Sequence, residues 1–272
     1  MFRKLIITES EKKQISSLHN ILNEVENFAS FEGVVYDSSK TKVADPDTKI
    51  VLKQNGNVIK ELKGHSNSHV FLMNDGEKLF VRKTGDISRN LERFDALSNL
   101  KVSLPKIYNI YGSHYDMEYV SCLEMKKYLP TNNVDKLVDF IKNTMYNLSK
   151  NTIEKDYTET YRKKLASFDF KKFDMPFTAD ELLSKLPKIL PMSEYHGDFT
   201  LENILYDTNK KDFVLIDPLT TEYDSFVFDL AKLRQDLVCK WFIRNDNVYL
   251  DSKLYHITDK LNEFVHNENQ YL

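Results

Sequence analysis

The sequence predicts an α+β protein of two lobes, with an antiparallel sheet plus a helix in the first and mainly helices in the second. Three observations carry that reading. Period-two apolar runs broken by Asn-Gly and Asp-Gly fill the first half, apolar spacing of 3.6 runs through most of the second, and strands nearly vanish after Val120. The lobes are expected to comprise residues 1–120 and 121–272, and no Pro/Gly/Ser-rich linker separates them.

The first element expected is an amphipathic helix over about 10–29. Thr8 and Glu11 have capping-box spacing, and Ile15, Leu18, Ile21, Leu22, Val25 and Phe28 recur at helical intervals before Gly33. From about residue 49 the period shortens to two: KIVLK, NVIKEL, SHVFLM and KLFVRK read as strands, with Asn55-Gly56 and Asp75-Gly76 as hairpin turns. A helix follows over about 87–100, and two further strand-like runs, KIYNIYG and HYDMEYV, close the first lobe. In the second lobe, helices are expected at about 133–149, 158–166 and 179–186, the last stopped by Pro187. NILY at 203–206 and FVLI at 213–216 form a small hairpin around polar DTNKKD, and further helices cover about 225–242 and 252–266.

Hydrophobic residues make up 41% of the chain and charged residues 29%, the balance of a folded protein rather than a disordered one. No run approaches the roughly eighteen apolar residues of a membrane-spanning helix, and the start MFRKLIITESEKK turns charged too soon for a signal peptide. A cytoplasmic protein without a membrane partner is therefore expected. A net charge of -3 with both signs interspersed offers no basic stripe, so nucleic acid is not expected as a partner. Cys122 and Cys239 stand far apart, outside any CxxC pattern, and read as reduced core thiols. His65 and His69 have a spacing that would share a metal only on a helix, and they sit in a strand-to-strand loop, so zinc is not expected. Tyr223, Phe226, Phe228, Trp241 and Phe242 are expected to pack the core at helical spacing.

The densest chemistry lies in Tyr195-His196-Gly197-Asp198-Phe199-Thr200-Leu201-Glu202-Asn203, followed after the hairpin by Leu215-Ile216-Asp217-Pro218. Phosphoryl transfer asks little covalent chemistry of a protein. It needs a carboxylate to orient the attacking hydroxyl and oxygen ligands to hold magnesium against phosphates. Asp198 and Asn203 have the H-x-D-x-x-x-x-N spacing of a kinase catalytic loop, and Asp217 ends the next strand.

HGDFTLENIL, LIDP and Asp229-Leu230-Ala231 together resemble the aminoglycoside phosphotransferase and choline kinase superfamily of small-molecule kinases, on the protein-kinase-like fold. The resemblance is close over about residues 190–235 and looser over 58–120, and it leaves 1–48 and 240–272 uncovered. Protein kinases are more distant, because they place Arg between the His and Asp and follow the later Asp with Phe-Gly, where this chain has Gly197 and Pro218-Leu219.

The resemblance implies ATP and Mg2+ as cofactors and a small-molecule hydroxyl as acceptor: a sugar, an amino alcohol or an aminoglycoside. Asp198 would be the catalytic base, and Asn203 and Asp217 would hold the metal. Lys83 would contact the α- and β-phosphates, steadied by Glu92 or by the shorter Asp95. Ser66, Asn67 and Ser68 would cover the phosphates in a loop holding one glycine, Gly64, where protein kinases have three. Backbone groups of Glu118 and Val120 would hold adenine, Asp229 would tether the catalytic loop, and His196 would buttress it. Glu222, Asp224 and Asp236 would favour a cationic acceptor. The rival reading is a catalytically inactive pseudokinase acting as a nucleotide-binding scaffold or regulator, which has no physical need of Lys83, Asp198, Asn203 and Asp217 together. A metal-dependent hydrolase is poorer, since it explains neither Lys83 nor the hairpin-rich first half.

Overall fold

Turn chemistry sets the register of the first sheet in the computed structural model, which describes residues 56–62, 68–85, 87–170, 175–244 and 249–268. Asp75 Oδ1 accepts from Glu77 N at 3.0 Å and from Lys78 N at 2.9 Å, and Asn74 Oδ1 accepts from Gly76 N at 2.8 Å. Asn and Asp bond to the backbone just ahead of them, and Gly76 supplies the positive φ, +96°, that a tight reversal requires. This turn joins β2 (His69–Asn74) to β3 (Leu79–Thr84), paired antiparallel from His69↔Thr84 to Asn74↔Leu79. With β1 (Asn57–Leu62), β4 (Ile107–Ile110) and β5 (His114–Glu118), the order is β1-β2-β3-β5-β4. The helix expected at 10–29, the strand-like KIVLK, and Gly64, His65, Ser66 and Asn67 lie outside the described residues.

Alternation along β3 divides the sheet into two faces. Phe80 joins Val58, Phe71 and Met73 on one face, whereas Val81 joins Tyr115 and Met117 on the other, against Ile87 and Phe94. Phe94 belongs to α1 (Ser88–Ser98), whose buried residues are Asn90, Arg93, Phe94 and Leu97, one face at i, i+3, i+4 and i+7. Arg82, on the Phe80 face, is fully buried and makes a two-pronged pair with Asp116 at 2.7 and 2.8 Å.

Beyond β5 the chain is mainly helical: α2 (Met125–Thr131), α3 (Asp135–Leu148), α4 (Thr158–Ala166), α5 (Ala179–Lys185), α6 (Phe226–Cys239) and α7 (Asp251–Glu268). Phe226, Leu230, Leu233 and Leu237 of α6 meet Leu137, Ile141 and Met145 of α3 and Leu254, Ile257 and Leu261 of α7 in the main core. Each such side chain contributes about 1.5–3 kcal/mol when fully buried. The expected hairpin is β9 (Ile204–Asp207) paired with β10 (Asp212–Leu215), and β6 (Cys122–Glu124) adds a third strand beside β9.

The sequence pattern did not announce β6, α2, or the pair β7 (Ile153–Asp156) and β8 (Ile189–Met192). Three residues are too few to show a period, α2 carries Pro130, and β8 carries Pro191. Two further expectations are corrected. Cys239 is exposed and Cys122 half-buried, so neither is a core thiol, and Trp241 is 46% exposed beneath the Arg244 guanidinium. Both exposed residues flank Lys240, whose φ of +54° ends α6, and the core resumes at Phe242 and Ile243. Among the described residues no helix is long and apolar enough to cross a membrane.

Candidate active site

The loop between β8 and β9 is held in shape from beneath by α6. Asp229, in the first turn of α6 and 1% exposed, accepts from His196 N at 2.5 Å and from Gly197 N at 2.8 Å. Two turns along, buried Asp236 accepts from Leu201 N at 2.6 Å. Burial raises the Asp229 carboxyl to about 7, although the two amide donors pull it down, and burial raises Asp236 to about 6. Gly197 is required where it stands: φ is +88°, and a Cβ there would lie 1.9 Å from the Leu219 carbonyl oxygen. That approach is fixed from the other side by Leu219 N donating to His196 O at 2.8 Å.

His196 is fully buried, and burial lowers its imidazole to about 4, so the ring is neutral. Its Nδ1 accepts from Asp198 N at 3.3 Å, which assigns the ring proton to Nε2. His196 thus buttresses the loop from within, its ring edge-on to Phe199.

Above this base four of the expected groups converge. Asn203 Nδ2 donates to Asp198 Oδ2 at 3.0 Å and to Asp198 O at 2.8 Å, so Asn203 Oδ1 is left unengaged among the described residues. Ile216 N donates to Asn203 O at 3.0 Å, bringing the segment that carries Asp217 alongside. Asp217 has φ +57°, a left-handed conformation that Asp tolerates better than most residues, and its Oδ1 lies 2.7 Å from Lys83 Nζ. Lys83 itself is 4% exposed, and this ion pair spans 134 positions of sequence to join β3 to the segment just after β10.

The expected Lys83–Glu92 pair is corrected. Glu92 is exposed and accepts from Thr220 Oγ1 at 2.9 Å, and Asp95 is exposed as well. The reason is the rotation of α1, which directs Asn90 and Arg93 inward instead. Asn90 Nδ2 donates to Pro218 O at 2.8 Å, Arg93 donates to Tyr195 O at 2.6 Å, and Arg93 Nη2 pairs with Glu194 at 2.7 Å. The helix therefore grips the segments flanking Asp198 and Asp217 rather than the lysine.

Of the remaining expected residues, Ser68 is half-buried just before β2, while Ser66 and Asn67 lie outside the described residues. Glu118 ends β5, its N donating to Lys106 O at 2.8 Å and its side chain pairing with Lys210, and buried Val120 follows. Lys232 was not anticipated. It stands one turn beyond Asp229 on α6, with Nζ 3.0 Å from Asp198 Oδ1, and the only trace of it in the sequence is that i, i+3 spacing. Of the acids expected to favour a cationic acceptor, Asp224 is held by Lys155 at 2.7 Å and by Tyr157, and Asp236 by Leu201, so Glu222 alone stays exposed.

No family model matches the chain, and no curated protein matches it. Solved structures do. A Ralstonia eutropha protein provisionally assigned as an aminoglycoside phosphotransferase superposes with a TM-score of 0.53 at 16% identity, over 82% of this chain and 80% of that one. The aminoglycoside phosphotransferase APH(4)-Ia gives 0.52 at 11% identity, over 80% and 83%. A third, the Streptomyces rimosus enzyme APH(3'')-Id, gives 0.50 at 15% identity, over 84% and 93%. At these identities the likeness establishes the fold: this chain has the α+β, protein-kinase-like fold of those phosphotransferases.

Proposed function

We propose that this chain is a kinase that transfers the γ-phosphate of ATP to a hydroxyl of a small molecule. The observation that supports it most directly is the convergence of Asp198, Asn203, Asp217 and Lys83 through contacts of 2.7–3.0 Å, from three separate stretches of sequence. A nucleotide-binding scaffold would need the lysine and a metal ligand, but not a carboxylate held beside them. The donor set suits magnesium: the unengaged amide oxygen of Asn203 and the second oxygen of Asp217 are hard ligands, and the nearby His196 imidazole is fully buried with its Nδ1 taken by Asp198 N.

Bound MgATP would supply the transferable phosphoryl group and the positive charge that neutralises it. Lys83 would hold phosphate oxygens as a fixed cation at the base of the cleft. Glu118 and Val120, at the exit of β5, would present backbone groups to the base, and Ser66, Asn67 and Ser68 would close over the phosphates. Asp198 would accept a hydrogen bond from the acceptor hydroxyl and take its proton late in transfer, with Asn203 Nδ2 fixing the carboxylate plane. Asp229 and Asp236 would act through the loop by holding its amides.

The test is magnesium-dependent ADP release over a panel of sugars, amino alcohols and aminoglycosides, with Asp198→Asn as the blank. Turnover that is lost in Asp198→Asn while nucleotide affinity is kept supports the assignment. Equal turnover in that variant refutes the role of Asp198, and nucleotide binding without turnover on any acceptor supports the scaffold reading.

A further inference from the structure

The Lys83–Asp217 pair has a neighbour that the reading so far leaves idle. Tyr115 lies directly opposite Lys83 in the β3–β5 register, so both side chains rise from the same face of the sheet. Tyr115 is 0% exposed, its ring packed edge-on against Phe94 of α1 at 5.9 Å, and its hydroxyl has no hydrogen-bond partner among the described residues. A buried hydroxyl without a partner is costly, and such groups in a folded protein call for a role.

The vacancy it would fill is specific. The carboxylate expected to steady Lys83 from α1 is turned to Thr220, so among the described residues Asp217 is what holds Lys83. Asp217 is also the residue assigned to the metal. A carboxylate that shared its oxygens with magnesium would have less to give an ammonium, and Lys83, turned toward phosphate oxygens on one side, would need a second protein acceptor to stay in place.

We propose that the Tyr115 hydroxyl is that acceptor, a positioning residue that bridges Lys83 and Asp217 in the nucleotide-loaded protein, accepting from Lys83 Nζ and donating to Asp217. This rests on the kinase reading above. The phenol takes over from β5 the work usually expected of a helix carboxylate, and it adds no second negative charge beside the metal ligands.

Tyr115→Phe separates this from a packing role, because it removes one oxygen and keeps the ring. The unliganded thermal midpoint should stay level or rise, since an unpartnered buried hydroxyl is lost. Affinity for MgATP by calorimetry should fall about three- to tenfold, the range of one hydrogen bond. In a Lys83→Met background the same substitution should cost no further affinity. Unchanged MgATP affinity in Tyr115→Phe overturns the proposal, as does a loss that adds in full to that of Lys83→Met, or an unliganded midpoint lowered by more than a few degrees. If the wild-type protein binds no MgATP, the kinase reading falls and this proposal with it. Failure of Tyr115→Phe alone leaves that reading standing.

Discussion

Replacing Asp229 by Asn tests how the catalytic loop is held. The carboxylate accepts from two buried amides, His196 N at 2.5 Å and Gly197 N at 2.8 Å. Both oxygens of the Asp229 carboxyl can accept, in the neutral acid that prevails at pH 5 as in the carboxylate, whereas an Asn side chain offers one acceptor oxygen and one NH2, so one of the amides must lose its partner. Leaving a buried donor unsatisfied costs about 1–3 kcal/mol, against a total stability of about 5–15 kcal/mol for a folded domain. The cost depends on pH. Burial raises the folded-state Asp229 carboxyl to about 7 from an ordinary 3.8. A group raised on folding contributes stability that is fully present below its unfolded value and is lost as pH rises through its folded value. At about 1.4 kcal/mol per pH unit, the wild-type protein gives up about 2 kcal/mol between pH 5 and pH 7 through this group. The Asn variant has no such loss. Urea unfolding followed by far-UV circular dichroism should therefore show Asp229→Asn less stable by about 1–3 kcal/mol at pH 5, with the gap narrowing by about 2 kcal/mol by pH 7. His196, lowered to about 4, contributes stability that is present above its ordinary 6.5 and lost as pH falls through 4. It does so in both proteins and drops out of the difference. A gap that is constant, or that widens with pH, would mean that the two amides favour the charged carboxylate at least as much as burial opposes it, and the reasoning would fail.

Other substitutions probe the same site. Gly197→Ala places a Cβ 1.9 Å from the Leu219 carbonyl oxygen in a left-handed residue, so unfolding should report at least ~2 kcal/mol of lost stability together with loss of turnover; a variant with wild-type values would show that the approach of the two loops is not rigid. Lys232→Met removes an ammonium 3.0 Å from Asp198 on a half-exposed side chain. Stability should change by less than about 1 kcal/mol, whereas turnover should fall about tenfold, equivalent to ~1.4 kcal/mol in the barrier. Unchanged turnover would make that pair a surface contact without a part in transfer.

Much of the site was legible because its chemistry is local. Asp198 and Asn203 lie within one loop, where five positions of backbone decide whether an amide can reach a carboxylate, and their bond at 3.0 Å is the outcome. The β2–β3 turn was legible for the same reason, since Asn74, Asp75 and Gly76 bond within their own four residues. Glu92 shows where this stops. Spacing on a helix states which residues share a face, but the rotation of that helix about its axis is set by Phe94 and Leu97 docking against the sheet and main core, and the same rotation sends Asn90 and Arg93 to the site.

Residue order alone determined the α+β arrangement, the strands of the first sheet and the helices of the second half apart from α2, because turns, apolar periods and caps act over a few residues. Only the tertiary structure decided that Lys83 meets Asp217, that Asp229 and Asp236 hold the loop from below, that Lys232 reaches Asp198, and that a tyrosine opposite Lys83 buries a hydroxyl with no partner among the described residues. Those contacts join residues 32 to 134 positions apart, and a buried polar group at such a distance finds its partner through the packing of whole elements, which no local pattern encodes.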